Sequence, residues 1–182
     1  MPHWRAVGLC TNGWALGVSG DSEKGLAQIE KGLDSYGLGA SQDILLALQA
    51  DAQLAIGKPA AALVSVAAGL QAVQKTGGAP LEAELHRLKV EALLAGAGTL
   101  SEAEAAIEQG IDVARRQNAK SWELRGAMSF ARLRRQQGRP QEAAALLAPI
   151  YAWFTEGFDT PDLKEAKALL DKLTEPSMAA EG

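Results

Sequence analysis

Cysteine is almost missing from this chain. Cys10 stands alone among 182 residues, which excludes an internal disulfide framework and fits a reducing cytoplasm. Histidine is as scarce: His3 and His86 are too far apart to make a zinc site with one thiol. No metal and no cofactor is expected. No charge of one sign dominates either, with 18 lysines and arginines against 22 acidic residues and a net charge of -4. A pI near 5.3 gives no general attraction to phosphate backbones or anionic lipid, so neither nucleic acid nor membrane is an expected partner. Runs of about 18 apolar residues, the length a membrane span needs, are missing too, because the longest candidates are cut by Gln49, Asp51, Gln53 or Gly57. Met1 to Ser19 carries one arginine and an apolar stretch broken by Asn12 and glycines, unlike a signal peptide. A soluble, cytoplasmic protein is expected.

Catalytic motifs are absent as well. The chain has no Gly-x4-Gly-Lys-Ser/Thr loop, no complete dinucleotide glycine fingerprint, no Gly-x-Ser-x-Gly elbow and no His-Glu-x-x-His. No catalytic residue is assigned, and an enzyme is not expected.

What is present is a repeat. Gly20, Gly57, Gly98 and Gly138 each precede an alanine-rich run, at intervals of 37, 41 and 40 residues. The runs carry one apolar ladder: Leu26, Ile29, Leu33, Tyr36; then Leu63, Val66, Leu70, Val73; and in the fourth copy Ala144, Leu147, Tyr151, Phe154. These offsets mark one face of an α-helix. The third copy, Glu104, Ile107, Ile111, Ala114, is weaker. Gly32, Gly69 and Gly110 share one register. A mid-helix glycine costs about 0.8 to 1 kcal/mol relative to alanine, so its recurrence predicts a neighbouring helix passing too close for a Cβ. Ile150 breaks the rule after Pro149, which predicts a kink there.

Helix starts agree with this parsing. Pro59 and Pro140 fall in the first turn after a glycine, and Thr99-x-x-Glu102 and Ser101-x-x-Glu104 read as capping boxes. A partner helix precedes each glycine, which gives four antiparallel hairpins at about 3-37, 41-76, 80-118 and 120-157. Breakers Gly37-Leu38-Gly39 and Thr76-Gly77-Gly78-Ala79-Pro80 separate the first three, and Gln117-Asn118-Ala119 is a shorter join to the fourth. Thr160-Pro161-Asp162 opens a ninth helix, a cap over 161-173 with the stripe Leu163, Ala166, Leu170, Leu173. The expected organisation is a single repeat domain over 1-173 and a mobile tail over 174-182.

The spacing in Gly57…Ala62…Gly69-Leu70 and Gly98…Ala103…Gly110-Ile111 resembles the second half of a tetratricopeptide (TPR) repeat. Traces of the first half are Gly13-Trp14-Ala15-Leu16 and Leu48-Gln49-Ala50-Asp51-Ala52. Leu85-His86-Arg87-Leu88-Lys89, Ala114-Arg115-Arg116-Gln117 and the block Tyr151 to Ala166 resemble more closely the C-terminal repeat region of bacterial multidomain adenylate/guanylate cyclases. That resemblance implies an all-α, right-handed superhelical solenoid whose first helices line a concave groove. It also implies a regulatory, partner-binding role in bacterial signalling, since the cyclase and ATPase domains are not part of this sequence. Gln49, Gln53 and Arg134 depart from the pattern, at positions usually apolar or aromatic.

The groove positions so implied are Cys10 and Trp14 in the first hairpin, Ala47 and Asp51 in the second, and Arg125, Met128, Arg132 and Arg135 in the fourth. In the third they are either Arg87 and Glu91 or Leu88 and Ala92, because the turn at Gly98 leaves a one-residue ambiguity. Arg125, Arg132, Arg135 and Arg139 project from one side of a helix and could clamp a carboxylate or phosphate, or form an ordinary solvated face paired with Glu142 or Glu123. Trp14 reads as a peptide anchor or as packing against the next hairpin, Gln49 and Gln53 as ligand contacts or exposed relics, and Trp153, Phe154 and Phe158 as a seal for the cap helix in preference to a ligand box. The functional expectation is a protein or peptide partner held in the groove; the alternative is a sensor of a small anionic metabolite. Because the first helix opens at once on Trp4, Val7 and Leu9, either a larger parent protein or self-association through the first hairpin is expected.

Overall fold

The structure is a computed structural model that describes residues 2–36, 42–76, 80–96 and 98–175. The breaker at 37–39, residues 77–79 of the breaker at 76–80 and the tail from 176 lie outside the described residues. Among those described, nine helices and no strand occur, in the order α1 (Pro2–Val18), α2 (Ser22–Tyr36), α3 (Gln42–Ala55), α4 (Pro59–Thr76), α5 (Glu82–Ala95), α6 (Leu100–Arg116), α7 (Lys120–Gln136), α8 (Pro140–Ala152) and α9 (Pro161–Thr174). The chain forms two compact units, Met1–Gly110 and Ile111–Gly182, with the boundary inside α6.

Local chemistry explains the ends. Gly20, Gly57 and Gly138 adopt φ of +105°, +70° and +73°, the left-handed conformation that closes a helix and that a side chain resists. Pro59, Pro140 and Pro161 then open the next helices, where a missing N–H costs nothing. Gly98 instead follows Gly96 in a turn one residue longer, and α6 starts from a complete capping box. The Thr99 N–H donates to Glu102 Oε2 at 2.9 Å, and the Glu102 N–H donates to Thr99 Oγ1 at 3.2 Å. Those bonds, with the Thr99 hydroxyl donating as well, hold the Glu102 carboxyl below its ordinary range. Ser101, the other proposed cap, lies inside α6.

In unit 1, α1 and α2 pack through glycines. A Cβ on Gly25 would stand 2.4 Å from the Gly13 carbonyl oxygen, and one on Gly32 would stand 2.4 Å from Cys10 Sγ and 2.9 Å from the Ala6 carbonyl oxygen. The glycine register thus marks close helix approach. Cys10 is fully buried there, its thiol donating to the Ile29 carbonyl. Helix α3 is covered on two sides: Leu45 and Ala52 join Ala6, Ile29 and Tyr36, while Ala47 and Ala50 join Val66, Leu85 and Leu88. The most buried row of α4 is Ala62, Val66, Gly69 and Val73, with Leu63 and Leu70 half-buried at its edge. The small residue five positions after each turn glycine faces the sister helix, so the ladder sits one residue off its expected centre.

In unit 2, α8 runs through Pro149 and ends at Ala152. Leu124, Ala127, Met128 and Ala131 of α7 meet Ala143, Leu147 and Ile150 of α8, and Leu163, Ala166, Leu169 and Leu173 of α9 close the cluster. Leu169 thereby takes the buried place expected of Leu170, which is half-buried beside it.

Candidate partner-binding site

The first helices of unit 1 set four expected groove residues in one row. The Trp14 indole Nε1–H on α1 donates to Asp51 Oδ2 on α3 at 2.8 Å. Asp51 acts electrostatically on Arg87 of α5. Arg87 Nε and Nη2 donate to the two oxygens of Glu84 at 2.8 and 2.7 Å, and Nη1 donates to Glu91. Burial works against the Arg87 charge, but Glu84, Glu91 and Asp51 outweigh it and raise its pKa above the usual arginine value. The one-residue ambiguity is resolved: Leu88 and Ala92 are 1% and 0% exposed, so Arg87 and Glu91 are the pair turned outward. Trp14 remains 39% exposed, so it both bridges to the next hairpin and presents a ring.

Cys10 and Ala47 do not join this row, because both are buried in helix packing. Gln49 and Gln53 are not exposed relics. The Ser65 hydroxyl of α4 is shared between Gln49 Oε1 at 3.0 Å and Gln53 Oε1 at 2.9 Å, and Gln53 is buried. Buried amides need such partners, and Ser65 is a residue the sequence reading overlooked.

Unit 2 uses its arginines differently. Arg125 Nε donates to Asp162 Oδ2 at 2.8 Å, and Arg132 Nη2 to Glu165 Oε1 at 2.5 Å, so two of the row hold α9 against α7. Arg125 also lies 5.0 Å from the Trp122 ring centroid. Arg139 forks Glu142 within its own turn at 2.7 and 2.6 Å. Arg135 is exposed and makes no ion pair among the described residues. Met128 is 3% exposed inside the α7–α8–α9 cluster, which corrects its expected place in a groove: α9 covers that face. Arg134 is buried, its guanidinium 4.5 Å over the Phe130 ring and donating to Gln137.

On α7, the Glu123 carboxylate is buried between Arg115 at 2.9 Å and Lys120 at 2.6 Å. Burial raises its pKa, yet those two bonds reverse the effect and leave it lowered. Of the expected aromatic seal, Phe154 packs on the core, whereas Trp153 and Phe158 are 58% and 47% exposed. They are held instead by surface contacts, Lys120 over Trp153 at 5.6 Å and Phe158 beside Tyr151 at 5.9 Å. An open groove of about 470 Å³ lies between Tyr151, Phe158, Leu163 and Lys167, and Lys167 there is paired with Asp171.

Among the described residues no three His, Cys, Asp or Glu side chains gather as a metal site requires, and no helix is long and apolar enough to cross a membrane.

The row in unit 1 and the covered row in unit 2 both sit on the first helices of hairpins. Two solved structures share the fold. One is a Podosopora anserina protein described as a kinesin light chain with nearly identical TPR-like repeats, at 18% identity and a TM-score of 0.72, covering 95% of this chain and 86% of that one. The other is a single-substitution variant of the same protein, with the same identity and TM-score and coverage of 93% and 84%. The fold is therefore that of TPR-like helical repeats. No family model matches the chain, and no curated protein matches it in sequence.

Proposed function

We propose that this chain is a non-catalytic protein-interaction module that holds a partner segment on the face of unit 1 built by α1, α3 and α5. The observation that carries the reading is the Trp14–Asp51–Arg87 row. It spans three successive first helices with a half-exposed indole fixed by its own hydrogen bond. Fixed aromatic rings make good anchors because little side-chain entropy is left to lose on binding. TPR-like neighbours support a repeat scaffold, and a scaffold alone supplies no chemistry.

The resemblance of Tyr151 to Ala166 to the repeat region of bacterial adenylate/guanylate cyclases supports placing this chain in a bacterial signalling protein. The alternative, a sensor of a small anionic metabolite, needs free arginines, and Arg125, Arg132 and Arg139 are committed to carboxylates. Self-association through the first hairpin draws support from Trp4 and Val18, which are 69% and 68% exposed; light scattering of Trp4→Glu beside the parent protein tests it.

The docking face is tested by photo-crosslinking in the native cell from Ala15 on α1 and, as control, from Val64, which is 71% exposed on α4. The same partner should be captured from Ala15 and lost with Trp14→Ala, with none captured from Val64. Equal capture from both positions overturns the assignment.

A further inference from the structure

We propose that the segment held along the α1 edge of this face is α1 of a second copy of the chain, packed antiparallel about a two-fold axis beside Thr11. This rests on the reading of the α1, α3 and α5 face as a docking surface, and names what docks there.

Trp4, Gly8, Thr11, Ala15 and Val18 of α1 are all exposed. They stand alternately four and three residues apart, the spacing of a helix seam that a second helix fills. Trp4 and Val18 are 69% and 68% exposed at its two ends, apolar surface that gains by being covered. A Cβ on Gly8 meets nothing within 4 Å, so the middle of the seam is open space. No charge lies on it: Arg5, off the seam, is the single lysine or arginine of α1, which has no acid. The Thr11 hydroxyl donates within its own helix, to the Val7 and Gly8 carbonyls at 3.0 and 3.3 Å, so covering it strands no donor.

The seam is also its own complement. Its order of large, small, threonine, small and large residues reads the same from either end. Two copies running in opposite directions set Trp4 against Val18 at both ends, Gly8 against Ala15 between them and Thr11 against itself. The small pair lets the helices approach, and a two-fold contact requires this self-matching. A parallel pair would bring two Arg5 side chains together at two helix N-termini, where the dipoles disfavour cations. The antiparallel pair carries each Arg5 to the C-terminal end of the other α1, where a cation is favoured. A strongly acidic or basic partner finds no opposite charge on the seam to select it. One helix pair is a small contact, so the dimer is a reversible one.

Sedimentation velocity of the full chain over a concentration series reads the dimer directly, and the parent chain should pass from monomer to dimer as concentration rises. Thr11→Glu, at an exposed site with no charged residue one turn away, sets two like charges on the axis and should weaken the dimer about a hundredfold or more. Its helical circular dichroism should stay that of the parent. Val64→Glu, on the exposed side of α4, should leave the dimer unchanged. Direction is read by disulfide capture: on mild oxidation, Gly8→Cys mixed with Ala15→Cys should give mainly the mixed dimer, the native Cys10 being buried. A parent chain that stays monomeric, a dimer that Thr11→Glu leaves intact, or capture dominated by like pairs each overturns the inference. If the chain is monomeric and Ala15 selectively captures a different protein, the docking face stands and only the second copy falls. A monomer with equal capture from Ala15 and Val64 takes down both readings.

Discussion

Removing the ionic contacts of α9 should leave that helix docked, whereas trimming one of its leucines should release it. Two forces hold it: the bridges Arg125–Asp162 and Arg132–Glu165, and the apolar seam of Leu163, Ala166, Leu169 and Leu173, none more than 7% exposed. The bridges are 31% to 59% exposed, and such pairs contribute about 0.2 to 1 kcal/mol each. A buried leucine cut to alanine costs about 2 to 5 kcal/mol. Hydrogen exchange of the α9 amides in the full chain reads local opening directly. Asp162→Asn with Glu165→Gln, at about 0.4 to 2 kcal/mol for the two pairs together, should reduce protection by about two- to thirty-fold, since 1.4 kcal/mol is a factor of ten. Leu169→Ala should reduce it roughly thirty-fold or more. A double-mutant cycle with Arg125→Gln and Asp162→Asn isolates the pair from the helix-dipole effect of Asp162, and its coupling should stay below about 1 kcal/mol. If the charge removals cost as much protection as Leu169→Ala, the order of these forces is wrong.

Three further outcomes are expected from the same geometry. Gly25→Ala should destabilise unit 1 by about 1 to 3 kcal/mol in urea unfolding, because its Cβ meets the Gly13 carbonyl oxygen at 2.4 Å; Gly8→Ala, where nothing lies within 4 Å, should instead stabilise by up to about 1 kcal/mol. Thr99→Ala removes the capping box of α6 and should cost about 0.5 to 2 kcal/mol by thermal unfolding. Glu123 has its folded pKa lowered, so its stabilisation is present above the unfolded value near 4.3 and is lost as pH falls through the folded one. The urea midpoints of the parent and Glu123→Gln should therefore converge as pH drops from about 5 to about 3, and a constant gap would show that Glu123 is not linked to acid unfolding.

The hairpins were legible because their signals are local. Gly57 and Gly138 announce left-handed turns, Pro59 and Pro140 the next helix starts, and Gly32 a close crossing, each by a constraint that one residue imposes on its own backbone. Side-chain partnerships across helices were not legible in the same way. Arg125, Arg132 and Arg139 read as one cationic stripe, yet two of them answer carboxylates on α9, and periodicity within a single helix says nothing about what covers it. Met128 was misplaced for the same reason. Gln49 and Gln53 looked like flaws in an apolar face because Ser65, the partner that satisfies both, lies on another helix.

A longer-range signal was nonetheless present. Trp14 and Asp51 are 37 residues apart and hydrogen-bonded, and so are Arg125 and Asp162. Both pairs join one first helix to the helix standing one repeat later. The period thus specifies which side chains meet across neighbouring hairpins as well as where hairpins begin. Under that rule α9 occupies the position of a first helix, and its Asp162 meets Arg125 in the register that Asp51 meets Trp14. The two rows then differ in what remains available. In unit 2 Arg125 and Arg132 end on carboxylates of the same chain and the face beneath α9 is filled by apolar side chains. In unit 1 the same register leaves a half-exposed indole fixed at its edge by Asp51, which is the arrangement a binding surface needs before any partner arrives.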